Sequence, residues 1–528
     1  MDSKAQARAT NIQRNTFIVA LANLISRITG LLREIAFAAA FGASAAADAF
    51  NAAFRVGNLF RELFAEGALA NAFVPLYADV SEKEGKASGW ELANAFLGVL
   101  LCAVGAASLL VLLLAEPLVW ALAGGFSEAP EKFDLAVNLT RILSPFVATI
   151  SIAAVFMGML NVRGRFFLPA IVPILFNALV IAACLGKNQF ESATGFHPIY
   201  GVSIAALLGG GLQALVLLPK LRKAGYRLRP RFGGHPALRK LLKFLGPALI
   251  AISIVQINLL IETQMASRQE GDGPVSWLIY SFRVAHLPFS IVAGAVGVAA
   301  LAGLSLLRAQ GKDSEYREAL GRALNLNTLF LLPAAMLLIV FPEPIVELLF
   351  ERGRFDAYDT ARTAEMLQMY GVALLGIGAH RILVPVYYTL EDPYTPMWAG
   401  LATVVLKFPV AWALVYHLGW GVKGLPLSHA VLVSGEIIFL MWHLNRRVPG
   451  VMRQIGRAHL QIAFATALLG AALWPFRHAT GLTLFPIFVA SGLFYAAVCS
   501  MLGNEETKSI LSKILRGPPR PPTNTTGD

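Results

Sequence analysis

Long apolar runs separated by short polar stretches recur along the whole 528-residue chain, with no ten-residue alternation of apolar and polar positions. About 20 apolar residues cross a bilayer as a helix that bonds its own backbone, so the pattern predicts helices rather than a barrel. Fourteen are expected, near 16–41, 47–78, 91–114, 134–160, 168–186, 198–219, 244–268, 275–307, 324–341, 359–388, 397–417, 425–444, 460–474 and 485–502. The second of these carries far more charge than a span should. At about 100° per residue, Asp48, Asn51, Arg55, Asn58, Glu62 and Glu66 fall within an arc of about 80°, with Arg61 just beyond it and Ala, Phe, Val and Leu opposite. Each charge at mid-membrane costs about 2.5–3.5 kcal/mol on insertion scales, so the stripe must face protein or water. It reads as one wall of a hydrophilic cavity.

Composition narrows the class. Hydrophobic residues make up 56% and charged residues 14%, and the mean hydropathy is +0.62, which excludes a soluble enzyme of this length. The net charge of +12 is unevenly spread. Loops on the amino-terminal side of the membrane hold 28 of the 44 Lys and Arg and the opposite loops hold 6, so both termini are expected in the cytoplasm. No basic module interleaved with aromatics points to nucleic acid. The densest basic cluster, 220–243, reads as a solvated topology determinant, with anionic lipid headgroups the lesser reading. Cys102, Cys184 and Cys499 sit in apolar runs without metal-ligand spacing, and no metal or other cofactor is expected. Arg27 and Arg33 interrupt the first apolar run, which is too long for a signal peptide and is kept as the first span.

An internal repeat organises the chain. Leu31-Leu32-Arg33-Glu34 aligns with Leu259-Leu260-Ile261-Glu262, and Phe54-Arg55-Val56 with Phe282-Arg283-Val284, both at an offset of 228. Glu116-Pro117 aligns with Glu343-Pro344 and Pro169 with Pro396, at 227. Six helices per repeat, an even number, give two lobes of like orientation related by an axis along the membrane normal. The expected plan is a cytoplasmic N-terminus (1–15), an N-lobe (16–219), the basic cytoplasmic linker (220–243), a C-lobe (244–444), two extra helices (460–502) and a disordered cytoplasmic tail (503–528). Pro145, Pro173, Pro247, Pro288, Pro333, Pro385 and Pro409 offer bends for alternating access, although a packing kink is the commoner role.

Differences between the repeats locate the chemistry. Arg27, Arg33, Asp48 and Arg61 align with Val255, Ile261, Ser276 and Phe289, and only Arg55 keeps a cationic counterpart, Arg283. In the first span Arg27 and Glu34 share a face, so one ion pair and one free cation, Arg33, are expected there. Arg27, Arg33, Arg61 and Arg283 then form a cationic site supported by Asp48, Glu34, Arg55, Asn58, Glu62 and Glu66. A guanidinium stays charged and its planar fork matches phosphate oxygens, so a phosphate or diphosphate is the expected ligand. His286 is expected as a packed or cavity-lining histidine. No phosphate-binding loop of the ATPase type and no hydrolase or zincin motif occurs, so a transporter is expected rather than an enzyme.

The stretch SRITGLLREIAFAAAFGASAAADAFNAAFRVGNLFRELFAEGALANAFVPLYAD resembles the MurJ (MviN) family of lipid II flippases, within the multidrug/oligosaccharidyl-lipid/polysaccharide exporter superfamily. Ser26-Arg27, Gly30, Arg33, Phe41-Gly42, Asp48-Ala49-Phe50, Asn58-Leu59, Arg61, Phe64-Ala65-Glu66-Gly67-Ala68 and Phe73-Val74-Pro75 carry it, with Val275-Ser276-Trp277, Tyr280, Arg283 and Pro288 further on. The resemblance implies a bacterial inner-membrane flippase that moves lipid II from the cytoplasmic to the periplasmic leaflet. Its functional arginines would be Arg27, Arg33, Arg61 and Arg283, with Asp48 an essential acid and a lipid-tail groove along helices 13 and 14. The expected partners are lipid II, membrane lipids and peptidoglycan-synthesis proteins, with the flippase itself a monomer. The drive, whether protons, sodium ions or membrane potential, is left open. Two departures stand out: the family often has an acid where this chain has Phe282, and a carboxylate where His286 stands. An ion-coupled multidrug antiporter and a non-transporting scaffold of wall synthesis are the rival readings.

Overall fold

The computed structural model describes residues 2–62 and 73–516, and every regular element among them is helical. In chain order the helices are α1 (Asp2–Phe41), α2 (Ala45–Arg61), α3 (Val74–Lys83), α4 (Lys86–Leu113), α5 (Ala115–Ala123), α6 (Pro130–Leu143), α7 (Phe146–Val162), α8 (Phe167–Leu185), α9 (Lys187–Thr194) and α10 (Pro198–Lys223). There follow α11 (Pro236–Ser267), α12 (Pro274–Ala309), α13 (Asp313–Val340), α14 (Pro342–Phe350), α15 (Ala357–Thr389) and α16 (Tyr394–Trp412). The last four are α17 (Gly424–Arg447), α18 (Val451–Leu473), α19 (Leu484–Met501) and α20 (Glu505–Arg516). Among the described residues, 11 helical stretches are long and apolar enough to cross a membrane. They match the expected spans except the first, second and seventh, which correspond to α1, α2 and α11.

The repeat that a few short motifs suggested governs the helix boundaries themselves. α4 and α13 are both 28 residues long, α5 and α14 both 9, the stretches Pro130–Val162 and Ala357–Thr389 both 33, and α8 and α16 both 19. Their starts, Lys86 and Asp313, Ala115 and Pro342, Pro130 and Ala357, Phe167 and Tyr394, are each 227 residues apart. Pro145 accounts for the one internal difference. A proline has no N–H for the helical ladder and its ring clashes with the preceding turn, so the first copy divides into α6 and α7. The second copy, with Val372 at the matching position, runs on as α15.

The chain divides into two compact units. The first takes the chain as far as Tyr280 together with Phe350–Asp359, and the second takes Ser281–Leu349 and the chain from Thr360 on. In the first, α1 packs on α8, α8 on α10, α10 on α7 and α2 on α6. One of its core clusters holds a stack in which the Phe73 and Phe96 rings lie 4.7 Å apart, with Tyr77, Phe156 and Tyr226 fully buried nearby. In the second, α13 packs on α18, α16 on α17 and α18 on α19, around Tyr316, Leu320, Leu383 and Tyr387 and a second cluster that includes Phe341, Ile462 and Cys499.

The tail expected to be disordered from 503 onward is helical between Glu505 and Arg516. Asn504 caps it, accepting from the Thr507 amide at 3.0 Å, Glu505 and Glu506 suit the positive end of the dipole, and Ile510, Leu511, Ile514 and Leu515 recur at helical spacing. Residues 517–528 lie outside the described residues.

Candidate functional site

The site is built from the end of α1, the stripe of α2 and the start of α12. α1 ends at Phe41, and its last carbonyls have no partners within the helix. Three other segments supply them. The Arg354 amide donates to Ala39 O at 3.0 Å, Lys187 Nζ to Ala40 O at 2.7 Å and Tyr280 OH to Gly42 O at 3.0 Å. Asp359 secures the next residues, accepting from the Ala43 amide at 3.0 Å and from Trp277 Nε1 at 2.9 Å. The segment Phe350–Asp359 approaches this closely because Gly353 has a φ of +64° and no side chain, and a Cβ there would stand 2.2 Å from Ala39 O. Burial, reinforced by the charge of Arg354, holds the Lys187 ammonium below its usual pKa.

Asp48, in the first turn of α2, is fully buried and saturated. Its Oδ1 accepts from the Ser276 amide at 2.8 Å and the Ser276 hydroxyl at 2.7 Å. Its Oδ2 accepts from the Gly273 amide at 2.9 Å and Lys132 Nζ at 2.8 Å. The carboxylate therefore caps the amino end of α12, where unpaired amides and the helix dipole favour negative charge, and pairs with a buried ammonium. Lys132 reaches a second acid, Asp272, at 3.0 Å, and stands 4.6 Å from the centre of the Phe126 ring. Asn51, one turn on, donates to the Ser276 hydroxyl at 3.0 Å. The first half of the stripe is thus sealed against protein, which corrects its reading as a cavity wall: α12 and α6 supply enough donors to dispense with water there.

Further along, Arg55, Asn58 and Glu62 are half-buried. Glu62 accepts from Asn58 Nδ2 at 2.7 Å and from Gln256 Nε2 of α11. The side chain of Arg61 and the whole of Glu66 lie outside the described residues.

In α1 the expected pairing is exchanged. Glu34 accepts from Arg33 at 2.5 Å, while Arg27 is exposed and makes no hydrogen bond or ion pair with any described residue. Seven residues are about 10.5 Å of helix rise, whereas neighbouring side chains can fold back on one another. Arg33 also donates to Asn177 Oδ1 of α8 at 3.3 Å and lies 5.4 Å from the centre of the Phe176 ring. Asn177 is held in turn by donating to the Thr29 hydroxyl at 3.1 Å. The helix therefore presents one braced guanidinium, with 17% of its side chain exposed, and one unbraced guanidinium less than two turns away.

Arg283 and His286 belong to the second unit. Arg283 is exposed, and His286 packs between Phe282, whose ring centre is 4.0 Å away, and Phe289, at 5.0 Å. Among the described residues no group of His, Cys, Asp and Glu is placed to hold a metal ion.

Lys132, Asp272 and Asp359 were not found by sequence reasoning, and Trp277 entered only through the family resemblance. Lys132 had a signal, being one of only six basic residues on the side poor in them. Asp359 had none, because its partners are 82 and 316 residues away.

A family profile described as "Lipid II flippase MurJ" matches residues 37–495. A Burkholderia cenocepacia protein named lipid II flippase MurJ is 35% identical over 473 residues, covering 88% of each chain. A Rhizobium meliloti protein named probable lipid II flippase MurJ is 34% identical over 520 residues, covering 94% of this chain and 95% of that one. The fold is like that of a solved lipid II flippase MurJ in an inward closed conformation, with a TM-score of 0.76 at 22% identity, covering 94% of this chain and all of that one. It is also like that of an inward-facing multidrug transporter of the MATE family, with a TM-score of 0.67 at 14% identity, covering 83% and 99%. At these identities the solved structures speak to the fold alone.

Proposed function

The chain belongs to the lipid II flippase MurJ family, and from that premise we propose how it handles the lipid II that it moves across the membrane: Arg27 and Arg33 of α1 grip the diphosphate. It is a multi-pass membrane transporter and not an enzyme. The observation that carries the proposal is the pair on α1, in which Arg33 is aimed by Asn177 and Glu34 while Arg27 has no partner among the described residues. A braced guanidinium loses little freedom on meeting a phosphate oxygen, and an unpartnered one has no internal bond to give up. Arg61 and Arg283 complete the cationic set in this reading, which extends to fourteen spans, two repeats working by alternating access, and lipid-tail contact along α18 and α19.

In the same reading the protein acts as a monomer in the inner membrane with both termini cytoplasmic, and carries lipid II toward the periplasmic leaflet. The basic loops on the amino-terminal side support that orientation. Membrane potential, protons or sodium ions drive the cycle, and the wall-synthesis enzymes receive its product.

The test is competition by undecaprenyl diphosphate, which lacks the sugar and peptide, against lipid II binding to the purified protein. It is expected to compete weakly with the wild type and not at all with Arg33→Ala or Arg27→Ala, while Arg33→Lys keeps part of the effect because an ammonium retains charge and loses the fork. Undiminished competition in both alanine variants would remove the assignment.

A further inference from the structure

Between Pro219 and Phe244 the chain has nine Lys and Arg and no acid. The backbone of its middle part is held against the protein while its side chains stay exposed. α10 ends at Lys223 and α11 begins at Pro236, and the segment between them is strapped onto α4 by one buried residue, Asn94, which is 9% exposed. Asn94 Nδ2 donates to Arg227 O at 3.0 Å. Asn94 Oδ1 accepts from the Tyr226 hydroxyl at 2.8 Å and from the Arg229 amide at 3.0 Å, and Asn94 O accepts from the Arg231 amide at 3.1 Å. Gly98, one turn along α4, permits the approach: a Cβ there would stand 2.1 Å from Arg231 O. Tyr226 is fully buried, with its ring 5.0 Å from that of Trp90, and His235 closes the far end, 3.0 Å from the Ser88 hydroxyl.

The backbone groups bound by Asn94 belong to residues 227, 229 and 231. Alternate residues turning to one side is the habit of an extended chain, so the side chains of Arg227, Arg229 and Arg231 share one face and those of Leu228, Pro230 and Phe232 the other. All six are exposed, Phe232 by 77% and Leu228 by 39%. A row of three exposed guanidiniums on a backbone held in place has no acid within the segment to neutralise it, and Phe232 and Leu228 add exposed apolar surface beside it.

We propose that this strap is a docking surface for the anionic phospholipid headgroups of the leaflet on the side of the basic loops. Arg227, Arg229 and Arg231 donate to phosphate oxygens from the face they share. Asn94 is its positioning residue: it touches no lipid and fixes the spacing of the arginines. The inference is independent of how the diphosphate is held.

The experiment reconstitutes the full chain in phosphatidylcholine vesicles and compares, by electron paramagnetic resonance, the motionally restricted fraction of spin-labelled phosphatidylglycerol with that of spin-labelled phosphatidylcholine. The wild type is expected to favour the anionic probe by roughly twofold or more at low salt, and to lose most of that preference at about 0.5 M NaCl. Arg227→Gln/Arg229→Gln/Arg231→Gln changes only exposed side chains and is expected to bring the preference close to one. Asn94→Ala is expected to lower it with every charge in place, and Gly98→Ala, which pushes the strap off α4, to do the same should Asn94→Ala fail to fold. A preference unchanged in the triple variant would overturn the proposal. So would loss in the triple variant with full retention in Gly98→Ala, since net charge alone would then suffice.

Discussion

Removing the carboxylate of Asp48 tests the reading of that residue as a buried lock. In Asp48→Ala, Lys132 keeps a single acid, Asp272, whose side chain is 56% exposed, while its own ammonium remains only 7% exposed. Breaking a buried pair by deleting one member costs about 3–5 kcal/mol, because the partner's charge stays buried without compensation. The reverse deletion is milder. In Lys132→Met, Asp48 still accepts from the Gly273 amide, the Ser276 amide and the Ser276 hydroxyl at the positive end of α12, so a cost of about 1–2 kcal/mol is expected. The double variant removes the stranded ammonium and is therefore expected to be about 1–3 kcal/mol more stable than Asp48→Ala alone. Unfolding of the purified full chain by dodecyl sulfate in mixed micelles, followed by circular dichroism, measures all four corners of the cycle. A double variant no more stable than Asp48→Ala, or a Lys132→Met cost equal to that of Asp48→Ala, would show that Lys132 is not held by this carboxylate.

Three further outcomes follow from the same geometry. Gly353→Ala places a methyl 2.2 Å from Ala39 O at a positive φ, so the segment Phe350–Asp359 is expected to detach from α1 and become cleavable by a protease that leaves the wild type intact there. His197 caps α10 by accepting from the Ile199 amide at 3.3 Å, a role open only to the neutral ring. Although its surface is largely exposed, its pKa is lowered from 6.5 by partial desolvation first, with Glu191 opposing and Arg354 reinforcing, so the unfolded chain takes up this proton at a higher pH than the folded one. Stability from this group is therefore lost as pH falls below about 6.5, and His197→Asn, which keeps an acceptor that does not titrate, is expected to flatten thermal stability over that window. Asn177→Leu removes the brace on Arg33 without touching its charge, and is expected to weaken undecaprenyl diphosphate competition several-fold less than Arg33→Ala does.

Much of the architecture was legible because membrane helices are written in long apolar runs and the repeat left matching prolines and acids at one spacing. The short helices α5, α9 and α14 were missed, since nine or fewer residues give too little periodicity to separate them from loop. In the site, the clustering of charge in the first repeat was readable from residue type alone. Whether those charges meet water or protein was not, because it depends on donors such as Lys132 and the Gly273 and Ser276 amides, 84 to 228 residues from Asp48. The exchange of partners in α1 was within reach, since rise per residue disfavours Arg27 with Glu34 before any coordinates exist. The strap at Asn94 was beyond it: an asparagine in an apolar helix announces a partner but not which one.

The bond between Asp48 and Ser276 joins two positions that the repeat makes equivalent, 228 residues apart. Two serines could meet there, but two ionised carboxylates at that distance would repel one another, and acids at both positions would have to share a proton. An acid on one side and a serine on the other therefore gives a lock that keeps its full charge for Lys132, so the unlikeness of the two halves at this position is itself what the contact uses.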